Sequence, residues 1–191
     1  MKRLFFSSFL IFFFSNAAFS SYSINEVKNY YQISGNTEQT LREQMGELGP
    51  VIKGHHYDAQ TIWYVTWNYN WHYNHPSQNP CYVKNVTVSV NVTSILPAWS
   101  NQNTSTPYLQ NKWNTYLNNL IKHEEGHGNN GKRAAMEIEQ ALLNTPAMPN
   151  CNALKAELNM KAKEIISKHN TWDTQYDMDT NHGKNQGAIF P

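Results

Sequence analysis

The stretch TIWYVTWNYNWHY, residues 61–73, alternates aromatic or branched side chains with mostly polar ones. Successive side chains of a strand point to opposite faces of a sheet, so this period of two predicts a strand with one buried face. The face predicted to be buried holds Trp63, Val65, Trp67, Tyr69, Trp71 and Tyr73. Flat rings can also form a surface for stacking sugars, but the regular alternation with polar residues favours a packed core.

A second alternating stretch, NVTVSVNVT at residues 85–93, places four valines on one face, namely Val86, Val88, Val90 and Val92. Two such runs around the loop that contains Cys81 predict an antiparallel hairpin. Upstream, INEVKNYYQISG predicts a further strand over residues 27–34. Between these strands, NTEQTLREQMGELGP predicts a short helix capped by Asn36 or Thr37.

Helical patterns take over after Pro97. Ser105 or Thr106 is a suitable cap, and Pro107 fits the first turn, where its missing N–H has no cost. Two further helices are predicted over residues 131–144 and 152–170, whereas the tail from residue 171 onward lacks periodicity and is predicted to be irregular. The predicted fold class is therefore α+β, with an N-terminal antiparallel sheet and hairpin followed by helices.

The helix that begins near Pro107 leads into HEEGH, residues 123–127. Side chains four apart share a helix face, so His123 and His127 would present two imidazole nitrogens to one metal ion. Glu124 would reach a water on that ion and act as general base. Zn²⁺ held by these histidines and a third ligand keeps an open position and lowers the pKa of its water toward about 7. The competing interpretation is two solvated histidines on an exposed helix face.

Three glycines lie in or just after this motif, each weakening a helix by about 1 kcal/mol relative to alanine. They are Gly126, Gly128 and Gly131. Gly126 and Gly128 either allow close approach of backbone or substrate, or Gly128 ends the helix. The sequence leaves both possibilities open.

The third metal ligand is not supplied by two well-known extensions of this motif. The metzincin spacing requires a histidine at a position that Arg133 occupies. The thermolysin-like spacing requires a glutamate near residue 147, which is Ala147, and Glu137, Glu139 and Glu157 are poorly spaced for that role.

The tail offers better candidates in YDMDTNHG, residues 176–183, which is expected to fold back over the helix. We predict His182 as the third ligand, with Asp177 or Asp179 as the alternative or as a partner that orients a ligating imidazole. Tyr176 is the candidate for stabilising the oxyanion of a tetrahedral intermediate, or else it only packs the tail onto the domain.

The N-terminus has the features of a secretory signal peptide. Lys2 and Arg3 precede an apolar run from Leu4 to Phe14, which is too short to span a bilayer, and small residues indicate cleavage near Ser20. The prediction is a signal peptide at residues 1–20 and a single domain at residues 21–191, secreted or periplasmic and without a stable membrane anchor. Removal of the signal leaves a formal charge near −1, which argues against nucleic acid as a partner.

Cys81 and Cys151 are the two cysteines of the chain. An exported protein meets oxidising conditions, so a Cys81–Cys151 disulfide is predicted.

Taken together, the signal peptide, the aromatic hairpin, HEEGH and YDMDTNHG resemble a bacterial family of predicted secreted zinc-dependent proteases, otherwise of unknown function. The resemblance covers most of the mature chain. It implies a zincin-like metallopeptidase domain, and it implies that the histidine and tyrosine of the tail, His182 and Tyr176, serve the site.

The expected function is hydrolysis of peptide bonds, in a peptide or protein substrate, by a zinc-activated water with Glu124 as general base. The alternative is a non-catalytic module, either zinc-stabilised or binding carbohydrate through the aromatic strand. Glu124 discriminates between them, because a structural zinc has no use for it and hydrolysis requires it. The oligomeric state has no signature in the sequence.

Overall fold

The computed structural model describes residues 19–73 and 80–190. The predicted signal peptide therefore lies outside the described residues, except for Phe19 and Ser20. Five strands and three α-helices follow one another along the described chain. The strands are β1 Phe19–Ile33, β2 Val51–Ile52, β3 His55–His56, β4 Gln60–Tyr73 and β5 Cys81–Trp99. The helices are α1 Glu38–Leu48, α2 Pro107–Leu143 and α3 Cys151–Thr180, with short 3₁₀ turns at Gln102–Thr104 and Lys184–Gln186.

The predicted hairpin is confirmed, and the α+β class with it. β4 pairs antiparallel with β5, with Val65 opposite Val90 and Trp67 opposite Val88. The sheet as a whole is mixed rather than antiparallel, because β1 runs parallel to β5 along its full length and the strand order is β1-β5-β4. A parallel neighbour needs a connection that returns to the starting end. The chain meets this need by placing α1, β2–β3 and β4 between β1 and β5.

The predicted inward face of β5 is buried, since the side chains on it are at most 1% exposed, namely Val86, Val88, Val90 and Val92. On β4, Trp63 is buried, and Val65, Trp67 and Tyr69 pack against the same cluster. Trp71 and Tyr73, at the end of the strand, remain 37% and 38% exposed. The aromatic strand is thus mainly core.

Two hydrophobic clusters meet along α2. The first lies between the sheet, the later turns of α2 and the first half of α3, and includes Trp63, Ala134, Ile138 and Leu158. The second lies at the other end, between α1 and the early turns of α2, and includes Leu41, Met45, Trp113, Tyr116 and Phe190. The middle turns of α2, residues 123–131, lie between these clusters and carry the buried polar residues of that helix.

α2 begins as predicted, with the Thr106 side chain accepting a hydrogen bond from the Leu109 amide and Pro107 in the first turn. The prediction of a separate helix over residues 131–144 is wrong, because α2 continues through all three glycines. Gly126 and Gly131 lie against large side chains, so burial offsets the poor helix propensity of glycine.

The prediction of an irregular tail is also wrong as far as Thr180, where α3 ends. Residues 171–180 include three threonines, which have low helix propensity, but tertiary contacts of Asp173 and Asp177 outweigh that preference. β1 also begins earlier than predicted, at Phe19 instead of Val27.

The Cys81–Cys151 disulfide is present as predicted and joins the start of β5 to the start of α3. Two backbone hydrogen bonds between Cys81 and Met148 hold the same corner. Within the described ranges, no helix combines the length and apolar character needed to cross a membrane.

Candidate metal centre

The HEEGH motif lies on the buried face of α2. His123, Glu124 and His127 are 2%, 6% and 8% exposed, so none of them is on a solvated face. The two imidazole rings come from adjacent turns, and their centroids are 5.0 Å apart. This burial contradicts the interpretation of the motif as two solvated histidines. Charged or polar groups are rarely buried without a partner, so these side chains are expected to have partners.

Asp177 of α3 supplies a third group to the histidine pair. Its Oδ1 lies 3.3 Å from Nε2 of His123 and 3.0 Å from Nε2 of His127. One potential ligand atom from each of these three residues lies within 4.8 Å of the others. α3 reaches this position because it packs antiparallel along α2 and continues to Thr180.

The second nitrogen of each imidazole is also hydrogen-bonded. Nδ1 of His127 lies 2.9 Å from Oδ1 of Asp173, and Nδ1 of His123 lies 2.9 Å from Oε1 of Gln186. Asp173 is itself fixed, because its Oδ2 accepts a 2.7 Å hydrogen bond from the Trp63 indole. Both Nδ1 atoms therefore donate, which orients each Nε2 toward Asp177. This pattern is common around metal-binding histidines.

With Nδ1 protonated, each neutral imidazole would direct the lone pair of Nε2 at a carboxylate oxygen. Burial lowers the pKa of His127, but hydrogen bonds with Asp173 and Asp177 outweigh it and raise this pKa to about 10. Burial would raise the pKa of Asp177, yet the bonds from His123 and His127 hold it well below its usual range. The cluster therefore requires a positive charge between its members, which a proton or a divalent cation can supply.

The hydrogen bonding of Glu124 differs from that of Asp173 and Asp177. Its Oε2 is buried and has no hydrogen-bond partner among the described residues. Burial raises the pKa of Glu124, although a hydrogen bond from Thr61 and the charges of the two histidines oppose this. A buried carboxylate oxygen without a hydrogen-bond partner destabilises the fold unless a ligand or a water molecule bonds to it. The residues present thus fit a metal with a bound water beside Glu124.

A cavity of about 720 Å³ opens in front of these groups. His123, Glu124, His127 and Asp177 line one side, and the segment from His56 to Thr61 lines another. Its size matches pockets that hold small ligands or a few residues of a peptide.

His182 lies beside this cluster, outside the group of three. It follows α3 in a left-handed conformation with φ of 50°, and its side chain is 52% exposed. Its Nδ1 is 3.5 Å from Oδ1 of Asp177. The role of His182 as a ligand stays a prediction. Asp179 points elsewhere, since it is exposed and accepts a hydrogen bond from Gln175.

Tyr176 packs the end of α3 onto α2. Its ring stacks on that of His123, with centroids 4.9 Å apart, and its hydroxyl donates a 3.0 Å hydrogen bond to the His123 carbonyl. Gly126 permits this approach, because a Cβ there would lie 2.5 Å from the hydroxyl oxygen. The tyrosine thus supports His123 in this structure, and its predicted part in oxyanion stabilisation stays a prediction.

Sequence reasoning missed three residues of the site. Asp173 is four residues before Asp177, a spacing that would have been informative had the tail been recognised as helix. Gln186 and Thr61 have no local signal, since one lies in a 3₁₀ turn and the other at the start of β4.

A family model with the description "Bacterial protein of unknown function (DUF922)" matches residues 28–183. This range contains the hairpin, the whole of α2 and α3, and every residue of the cluster. No curated protein and no solved structure matches the chain. Because the family match spans most of the chain, the protein belongs to this bacterial family of unknown function.

Proposed function

We propose that the protein is a zinc-dependent metallopeptidase that acts outside the cytoplasm and uses Glu124 as general base. One observation carries this proposal. A buried carboxylate with an unpaired oxygen lies beside three converging ligand groups, and all of them face one cavity. A purely structural metal would need the three ligands but not the unpaired Glu124.

We assign His123, His127 and Asp177 as the residues that would hold zinc. Two imidazoles and one carboxylate leave a fourth position open, as in catalytic zinc sites. When bound there, zinc would polarise a substrate carbonyl and lower the pKa of a water.

The protein's own residues provide the proton transfers and the alignment. Glu124 accepts a proton from water and returns it to the departing amine, and its raised pKa brings it closer to the neutral range in which such transfer is efficient. Asp173 and Gln186 keep the two imidazoles oriented through their Nδ1 atoms.

The substrate we propose is a peptide or protein in an extended conformation. β4 is an edge strand, and its first residues, Gln60 and Thr61, line the cavity beside Glu124. An extended chain can add to such an edge through main-chain hydrogen bonds. The disulfide is consistent with an oxidising compartment, so we propose the periplasm or the exterior as the location.

The test compares three purified variants after loading with zinc. Glu124→Gln is expected to keep stoichiometric zinc and lose at least about a hundredfold in peptide hydrolysis, because it removes a general base. His123→Ala is expected to lose both zinc and activity. Glu125→Gln is the matched control, since this neighbouring glutamate is exposed and its one ion pair within the described ranges is with Lys28 at 3.3 Å. Zinc is measured by elemental analysis, and cleavage by mass spectrometry of a peptide and muropeptide panel.

A wild-type protein that binds zinc and cleaves nothing in the panel would contradict the proposal. A non-catalytic zinc-stabilised module would then be the better explanation. Equal activity of Glu124→Gln and wild type would also exclude Glu124 as the base.

A further inference from the structure

Apolar and cationic side chains line the same cavity as His123, His127 and Asp177. The apolar ones include Ile52, Leu120 and Phe190, and Arg42 and Lys184 are cationic. These two are the only lysine or arginine side chains among the described residues that line the cavity. They differ sharply in how they are bonded.

Arg42 is fully occupied by a carboxylate. Its Nη1 donates a 2.8 Å hydrogen bond to Oδ2 of Asp58, and its Nη2 contacts Oδ1. The same Asp58 accepts a 2.6 Å hydrogen bond from the Tyr116 hydroxyl. Asp58 therefore neutralises Arg42, and three hydrogen bonds use most of the acceptor positions of its carboxylate.

Lys184 has no such partner. Its ammonium makes no side-chain hydrogen bond or ion pair with the part of the chain that the structure describes. The positive charge of Lys184 is near enough to help lower the pKa of Asp58. The oxygens of Asp58, however, are bonded to Arg42 and Tyr116. Of the other carboxylates that line the cavity, Asp173 and Asp177 are bonded to histidines, and Glu124, whose Oε2 is unpaired within the described ranges, forms no ion pair with Lys184.

The backbone of Lys184 is held close to the cluster of His123, His127 and Asp177. Its amide donates to the Asn181 carbonyl at 3.1 Å, and its carbonyl accepts from the Gly187 amide at 3.0 Å. The preceding residue, Gly183, has φ of 81°, and a Cβ there would lie 3.1 Å from the His123 ring. The turn that carries Lys184 is therefore packed directly on one of the proposed ligands.

We propose that Lys184 binds a carboxylate of the peptide substrate and so makes the protein selective for anionic peptides. This inference rests on the proposed peptidase function. In a peptide the carboxylate is either the C-terminal group or an acidic side chain, and a lysine ammonium recognises both as a point charge.

The test measures binding without cleavage, in zinc-loaded Glu124→Gln protein. Three N-acetylated alanine tetrapeptides serve as probes: one with a free C-terminal carboxylate, one amidated, and one amidated with a single glutamate. Calorimetric titration is expected to show that at least one charged peptide binds about tenfold or more tightly than the neutral amide. The charged peptide that binds more tightly than the neutral amide shows whether the carboxylate is the C-terminal group or an acidic side chain.

Lys184→Gln in the same background is expected to abolish that preference and leave the neutral peptide unchanged. Lys163→Gln is the matched control, because Lys163 is exposed on α3 and lies outside the cavity. It is expected to retain the full preference.

Equal binding of charged and neutral peptides would overturn the inference, as would equal weakening of all three by Lys184→Gln or no binding of any probe. Failure of the proposed function looks different. It appears as an inactive zinc-loaded wild type, whereas cleavage of neutral and anionic peptides at equal kcat/KM overturns only the role of Lys184.

Discussion

The orientation of two imidazoles determines what the cluster can bind. His123 and His127 each have Nδ1 bonded to an oxygen, so each presents Nε2 to Asp177. Asp173 orients His127 with a charged group that Trp63 fixes, while Gln186 orients His123 with a neutral amide. Hydrogen bonds with Asp173 and Asp177 raise the pKa of His127 despite its burial.

The identity of the third ligand is testable by zinc affinity. Asp177→Asn removes the negative charge of a group in contact with both histidines, so we expect it to reduce affinity more than loss of an orienting group does. Asp173→Ala removes such an orienting group and should cost about 10- to 100-fold. His182→Ala should have the smallest effect, because its side chain is half exposed. Competition with a chromophoric chelator measures all three, with circular dichroism as the check on folding.

A greater loss for His182→Ala than for Asp177→Asn would contradict this order. It would restore His182 as the ligand, as the sequence alone predicts.

Among the secondary-structure elements, α2 and α3 matter most for the site. α2 contributes His123, Glu124 and His127, and α3 contributes Asp173 and Asp177. The glycines of α2 set how closely neighbouring elements approach. A Cβ at Gly131 would lie 2.4 Å from the Trp63 ring, and Trp63 also bonds Asp173.

Alanine substitution at two helical glycines should therefore have opposite effects. Gly131→Ala is expected to destabilise by about 1–3 kcal/mol, because the methyl group must displace a buried indole. Gly46→Ala is the matched control, since nothing lies within 4 Å of a Cβ there, and it should stabilise by about 0.5–1 kcal/mol. Chemical denaturation measures both changes in the free energy of unfolding. Equal stabilisation by the two substitutions would mean that Trp63 does not constrain α2.

The whole molecule is arranged as two hydrophobic clusters with the polar site between them. The disulfide lies at the far end of the first cluster, where Cys81 is fully buried and joins the sheet to α3. Because α3 supplies Asp173 and Asp177, this covalent link also anchors the helix that completes the site.

Removing the disulfide should lower global stability. Its cysteines are 70 residues apart in sequence, and closing a loop of that length stabilises by about 4 kcal/mol in the chain-entropy model. We expect the double variant Cys81→Ala/Cys151→Ala to lose up to this amount in urea denaturation. Reductant should destabilise the wild type to a similar degree and leave the variant unchanged. A variant as stable as the oxidised wild type would contradict the prediction.

Patterns that depend on neighbours in sequence were predictable. The period of two in β4 and β5 and the shared face of His123 and His127 follow from local backbone geometry. The caps at Thr37 and Thr106 were each one of two candidates that the sequence offered. The disulfide followed from a count of two cysteines in a chain predicted to be exported.

Only the tertiary structure decided the length of α2 and α3, the parallel placement of β1, and the identity of the groups around the histidines. Asp173, Asp177 and Gln186 reach the site from 46 to 63 residues away in sequence. Their positions depend on the packing of α3 on α2, and packing between distant segments overrides the weak helix propensity of the tail. Sequence thus determined which helix carries the histidines, whereas the fold decided which groups face them.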